Sequence, residues 1–342
     1  MVHIPSSMKT TGLITALINT SLTSAPGALR RFSGRLLVLG VVSLLACLPT
    51  VSQASLNIFA CEPEWAALAR ELGGDRLEIY SATTALQDPH HVQARPSLIA
   101  KMRQADLIVC SGAELEIGWL PLLLRKAGNS DVASADGRFF AAEHVTMLDV
   151  PERVDRSMGD VHEQGNPHVH TSPENILLIA RALTEKLASL DKDNSAYYQQ
   201  RHDQFRDQWR GAMQRWQDKA SSLKGLRVIT HHRFWSYMNQ WLGIELVATL
   251  EPLPGVKPSS SYLARLIKTA EEKQVQMIMH VSYVNEKPAT WLSGRTGLPV
   301  VALPASADFQ AGESLLQWFD GIVNKLVSVT GNDQLIQDQA IK

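Results

Sequence analysis

The sequence predicts an α/β protein of two lobes, each a mainly parallel sheet flanked by helices, joined by one long interlobe helix. Three observations point there. Short apolar runs alternate with helical segments from Leu56 to Gly128, which implies parallel strands covered on both faces. The same alternation resumes after Arg227. Between the two, the stretch from Asn194 to Leu223 has no Pro and, apart from Gly211, no Gly, so it reads as one helix of ~28 residues, roughly 42 Å long. It is polar along most of its length (Gln199, Gln200, Arg201, Asp203, Arg206, Asp207), as a solvated helix between domains would be.

Taken in order, Leu56–Cys61 is a short apolar strand, and Pro63–Leu72 is helical up to the stop at Gly73-Gly74. Arg76–Ser81 alternates like a strand, Pro96–Gln104 is helical, Asp106–Cys110 is a buried strand, and Glu114–Ala127 is a helix stopped by Gly128-Asn129. Ser172-Pro173-Glu174 opens a helix running to about Leu190, with an N-cap, a Pro at the first position and an acid at the positive dipole end. After the long helix, Arg227–Thr230, Glu245–Thr249, Gln276–His280 and Val300–Leu303 read as strands. The helices between and after them cover Phe234–Leu242, Ser259–Lys273, Lys287–Arg295 and Glu313–Val329. The expected division is an N-terminal lobe over 55–192, the connecting helix over 193–224, and a C-terminal lobe over 225–342.

Residues 1–54 hold Lys9, Arg30, Arg31 and Arg35 and no acid, then the apolar run Leu36–Leu48, then Ser52-Gln53-Ala54 with small residues at the cleavage positions. This is the layout of a secretory signal peptide and predicts a periplasmic location. Leu44-Leu45-Ala46-Cys47 offers a lipoprotein box, and with it a lipid-anchored form, as the alternative, and translation could begin downstream at Met8. No other apolar run reaches the ~18 residues of a membrane helix. Removing the four basic residues of that segment takes the net charge from −1 to −5. A chain with that balance and no basic stripe is not a nucleic-acid binder, and 45% hydrophobic content excludes disorder. Cys61 and Cys110 sit at strand ends; they pair if those strands are neighbours, and otherwise stay as buried thiols.

Four positions at strand ends have metal-ligating character: Asp88-Pro89-His90-His91, Asn166-Pro167-His168-Val169-His170, His231-His232, and Asp308 in the loop Pro304–Gly312. In parallel sheets these ends face the ligand crevice. Imidazole and carboxylate are zinc ligands, usually four in a tetrahedron, and the Pro before His90 and before His168 stiffens each approach. A single loop histidine is ordinarily a solvated residue, and the alternative of exposed histidines stays open on this pattern. His-Glu-x-x-His, Gly-x-Ser-x-Gly and a phosphate loop are all absent.

The motifs are more specific than the ligand pattern. Asp88-Pro89-His90, Arg95-Pro96-Ser97, Ala105-Asp106-Leu107, Asn166-Pro167-His168, Ser172-Pro173-Glu174-Asn175, His232-Arg233-Phe234-Trp235-Ser236-Tyr237 and Glu251-Pro252-Leu253-Pro254-Gly255 occur in this order over Leu56–Val329. In them the chain resembles the periplasmic zinc- and manganese-binding proteins of metal ABC transporters, the ZnuA-like cluster A-I solute-binding family.

The resemblance implies His90, His168 and His232 as three imidazole ligands and Asp308 as a carboxylate fourth, with His280 or water as rivals for that place. Asn166 stands where Asp is frequent, His170 where Trp is frequent, and His280 where Glu is common. His91, His162, His170 and His231 are expected to be exposed or at most auxiliary. The resemblance further implies a monomeric, non-enzymatic protein that captures Zn²⁺, less readily Mn²⁺, and delivers it to an ABC transporter permease. Capture would proceed by loop ordering rather than wide closure. The reading from another class is a secreted zinc hydrolase using the same three histidines with an open fourth position.

Overall fold

Two parallel four-stranded sheets organise the computed structural model, which describes residues 55–153, 159 and 161–340, the last ten by backbone alone. The segment read as a signal, 1–54, and Asp160 lie outside the described residues. The first sheet contains β1 (Leu56–Ala60), β2 (Leu77–Ser81), β3 (Leu107–Cys110) and β4 (Arg138–Phe140), in the order β2-β1-β3-β4. The second contains β5 (Arg227–Thr230), β6 (Glu245–Thr249), β7 (Met277–Val281) and β8 (Val300–Leu303), in the order β6-β5-β7-β8. Every pairing is parallel, so both lobes repeat one topology, and each reverses its strand order beside its central strand.

Helices of the first lobe are α1 (Pro63–Gly73), α2 (Pro96–Arg103), α3 (Leu120–Ala127), the short α4 (Ser130–Ala133) and α5 (Pro173–Leu190). The Ser172 hydroxyl accepts from the Asn175 backbone N–H, the cap that its sequence announced. The long α6 (Ser195–Lys219) ends in a 3-10 turn at Ser221–Leu223. The second lobe adds α7 (Ser236–Leu242), α8 (Ser260–Glu272), α9 (Lys287–Thr296) and α10 (Leu315–Ala340). The expected helix over Glu114–Ala127 begins only at Leu120: Ala113 and Glu114 have φ of 47° and 66°, and a run of turns occupies the gap. The three-residue β4 has no counterpart in the expected elements.

α6 is not the wholly solvated rod its composition suggests. Tyr198, His202, Phe205, Trp209, Ala212 and Trp216 form a buried stripe at spacings of three and four. Trp209 donates its indole N–H to Pro173 O at the start of α5, and both Trp209 and Trp216 pack on Phe319 of α10. The helix therefore fastens the two lobes along its length. One hydrophobic cluster runs from Ile58 and Ala60 in β1 through Trp209 to Val228 and Met277 in the second sheet. Smaller clusters cover the outer face of each sheet. With a shared core, lobe separation would expose large apolar side chains.

Cys61 and Cys110 form a disulfide. β1 and β3 are neighbours, and Cys61 N donates to Val109 O at 2.9 Å. Among the described residues no helix is long and apolar enough to cross a membrane.

Candidate metal centre

Three loops at the C-terminal ends of the strands bring four imidazoles together. His90 comes from the loop after β2, His162 and His168 from the segment before α5, and His232 from the residues following β5. Ring centroids lie 5.8 Å apart for His90 and His168, 6.4 Å for His90 and His232, and 5.6 Å for His168 and His232. A zinc ion ~2.1 Å from each nitrogen would set such centroids about 5 Å apart; no three of these rings bring ligand nitrogens within 4.8 Å of one another, so they must draw inward to close a shell. His162 is closest of all to His90, with Nε2 to Nε2 at 3.2 Å, near the ~3.3 Å of two nitrogens on one tetrahedral ion.

Each ring is aimed by something specific. Asp88 Oδ1 accepts from both the backbone N and the Nδ1 of His90, at 3.0 and 2.8 Å, leaving Nε2 for an ion. The Trp119 indole fixes the preceding Pro89 carbonyl at 2.9 Å. Glu251 lies 3.2 Å from His232 Nδ1 through Oε2 and 3.3 Å from His231 Nε2 through Oε1. These are the carboxylate–imidazole pairs that orient metal ligands and raise their basicity. Burial pushes the Glu251 carboxyl up, but bonds from His231 and His232 outweigh it and hold it at about 2. His168 is 1% exposed and neither of its ring nitrogens has a hydrogen-bond partner. A buried imidazole with two idle nitrogens costs stability unless a ligand takes one. Burial, and then the neighbouring imidazoles, press His168 well below the usual histidine range and His162 down to about 3. Both rings are neutral, the form a metal needs.

The structure leaves Asp308 apart from these rings. It is exposed, its Oδ1 accepts from Ala311 N within its own loop, and its backbone N donates to Glu313. The carbonyls of that loop are held by Arg70 of α1, which reaches Phe309 O, Gly312 O and Glu313 O. His280 is buried in β7 with Nδ1 donating to Val281 O at 2.9 Å, also away from the centre. The ring beside His90 is instead that of His162, whose only signal in the sequence was proximity to His168. Two other expectations fail. His170 is buried, 3.2 Å from Glu64 and 3.0 Å from Ala305 O, and His231 is buried against Glu251.

The centre is held between lobes by further bonds. Asn166 Oδ1 accepts from His168 N, while its amide N–H₂ donates to Asp149 Oδ2 and Arg233 O, at 3.0 and 2.6 Å. The Tyr237 hydroxyl donates to Asn166 O and accepts from Leu148 N. The amide that replaces the commoner carboxylate is thus required here, because a carboxylate cannot donate to Asp149. Asn166→Asp should cost about 1–3 kcal/mol in thermal unfolding above pH 6, and Asp149→Asn should restore most of it. An unchanged melting temperature would contradict this wiring.

At the first lobe's strand reversal, Glu62 and Glu116 are buried beside Ser111. Burial raises both, Glu116 to about 7, so this crevice does not present a pair of carboxylates for a cation.

The model of the family ZnuA, "Zinc-uptake complex component A periplasmic", matches residues 58–329. Among curated relatives, the manganese ABC transporter substrate-binding lipoprotein PsaA of Streptococcus mitis is 21% identical over 272 residues, 78% of this chain and 86% of that protein. The metal ABC transporter substrate-binding lipoprotein SloC of Streptococcus mutans is 22% identical over 306 residues, 85% and 97% of the two chains. A crystal structure of ZnuA superposes with a TM-score of 0.69 at 21% identity, covering 80% of this chain and 98% of that one. The solute-binding protein FpvC of Pseudomonas aeruginosa in complex with Mn²⁺ gives 0.69 at 18% identity, covering 82% and 99%.

Proposed function

The chain belongs to the ZnuA family of periplasmic zinc-uptake components, and on that footing we propose that zinc is the ion its histidine centre takes up and passes to a membrane permease. It is a metal-binding solute-binding protein of an ABC transporter and not an enzyme; the hydrolase reading finds no support in the family. One observation carries the choice of zinc: the four groups that converge, His90, His162, His168 and His232, are all imidazoles. The nearest carboxylates, Asp88 and Glu251, are engaged on the far nitrogens of those rings. Nitrogen donors suit zinc, whereas manganese prefers oxygen. Manganese is named for PsaA and FpvC, which makes it the ion to compete against.

Calorimetric titration tests this. Zn²⁺ should bind 1:1 and at least about 100-fold tighter than Mn²⁺. Equal affinities, or a preference for manganese, would overturn the assignment. The same titration counts protons. Four ordinary imidazoles of pKa ~6.5 would release about three protons on binding metal at pH 6. His162 and His168 already sit below the histidine range and are neutral there, so no more than two protons, from the other two rings, should be released. The four basic residues of 1–54 and their apolar run support export by that segment, and the Cys47 box keeps a lipid anchor as the second form.

A further inference from the structure

We infer that Glu114 sets the zinc preference of the centre by positioning His162, which it holds from a strained turn behind the rings. The inference rests on the four-imidazole reading above and adds the residue that makes the fourth imidazole available. Gly112, Ala113 and Glu114 lie one after another in the left-handed backbone region, with φ of 77°, 47° and 66°. Glycine enters that region freely, but Ala and Glu do so at a cost, and such conformations persist only where contacts impose them. Here the imposing contact is Glu116. Its buried carboxyl group accepts from the backbone N–H of Ser111 at 2.8 Å and of Gly112 at 3.2 Å, which folds the turn back on itself.

Both strained residues serve the same neighbour. The Ala113 carbonyl accepts a hydrogen bond from the His162 ring. Glu114 Oε2 accepts from the backbone N–H of Glu163 at 2.8 Å, so the residue after His162 is fastened as well. A ring that donates one N–H to a carbonyl keeps its other nitrogen for an ion. Nε2 is the nitrogen that faces His90, 3.2 Å from its Nε2. The far end of the same turn holds the His90 loop, through the Trp119 indole on Pro89 O. One turn therefore spaces the two rings. The Glu114 bond is exposed and so adds little to folding stability. Backbone strain kept for the sake of such a bond points to placement of a ring rather than to stability. Zinc gains from a further nitrogen donor, whereas manganese, which prefers oxygen, gains little. Holding His162 in place then raises selectivity together with affinity.

Calorimetric titration with Zn²⁺ and with Mn²⁺ tests this on Glu114→Ala, Glu114→Gln, His162→Ala and the double alanine variant. Glu114→Ala should lose about 10–100-fold in zinc affinity, the usual loss when a group that orients a ligand is removed. Its manganese affinity should stay within about threefold of the wild type. The melting temperature of its metal-free form should move by no more than about 2 °C. Glu114→Gln keeps an acceptor oxygen at the same reach and should hold zinc affinity within about threefold. On the His162→Ala background, Glu114→Ala should have no further effect on zinc, as befits a residue that acts only through another. The inference is wrong if Glu114→Ala binds zinc like the wild type, if both metals weaken alike, or if the two substitutions add. If His162→Ala itself binds zinc like the wild type, the four-imidazole reading fails first and takes this inference with it.

Discussion

Replacing His168 by leucine should cut the zinc-induced stabilisation by about 3–4 kcal/mol, and should make the metal-free protein more stable than the wild type. The two halves of this result have one cause. His168 is buried with both ring nitrogens unpartnered, beside the ring of Phe234 at 4.2 Å between centroids. An apolar side chain of similar volume removes the unsatisfied groups and keeps the packing, a gain of about 1–2 kcal/mol. The same change deletes one metal ligand. If ~10–16 kcal/mol of binding is shared by four ligands, one accounts for ~3–4 kcal/mol, or a 10²–10³-fold loss of affinity. Thermal unfolding of both proteins with and without zinc reads all four corners of the cycle. A destabilised apo variant would mean that His168 has a structural partner; undiminished zinc stabilisation would remove it from the centre. A purely structural histidine would give the opposite pattern.

The second large effect belongs to the disulfide. Cys61 and Cys110 are 49 residues apart and fully buried where β1 and β3 end. Closing a loop of that length restricts the unfolded chain by about 2–4 kcal/mol. Cys61→Ala with Cys110→Ala should lower the melting temperature of the oxidised protein by roughly 5–10 °C. Zinc affinity at pH 7.5 should stay within about threefold, because neither sulfur touches an imidazole of the centre. A variant that melts with the wild type would show that the bond contributes nothing; one that loses zinc binding would show that the strand ends position the histidines.

The strands and caps could be read from the sequence because they obey local rules. Alternating apolar runs, Ser172-Pro173-Glu174 and Gly128 each specify their element through neighbours a few residues away. The turn before Leu120 and the three-residue β4 escaped, the first through backbone conformations that no residue pattern announces, the second because three residues carry no periodicity. The α6 stripe was present in the spacing of Tyr198, His202, Phe205, Trp209 and Trp216, but the surrounding charge masked it. At the centre, His90, His168 and His232 were legible because each adjoins a strand end or a family motif. His162 was not, since its loop has neither and only the tertiary fold places it 3.2 Å from His90. Asp308 has a strand-end position that the sequence shows, whereas the bonds that Arg70 makes to its loop carbonyls come from contacts across more than two hundred residues.

The Arg70 guanidinium and the Asn166 amide each stitch one lobe to the other, and a common core backs both. A vessel sewn shut on that side cannot empty by swinging apart. Release of a bound ion is then expected through local movement of the loops that carry the rings, which a dissociation rate would check. A transporter that receives the ion is then expected to act on those loops rather than on the angle between the lobes.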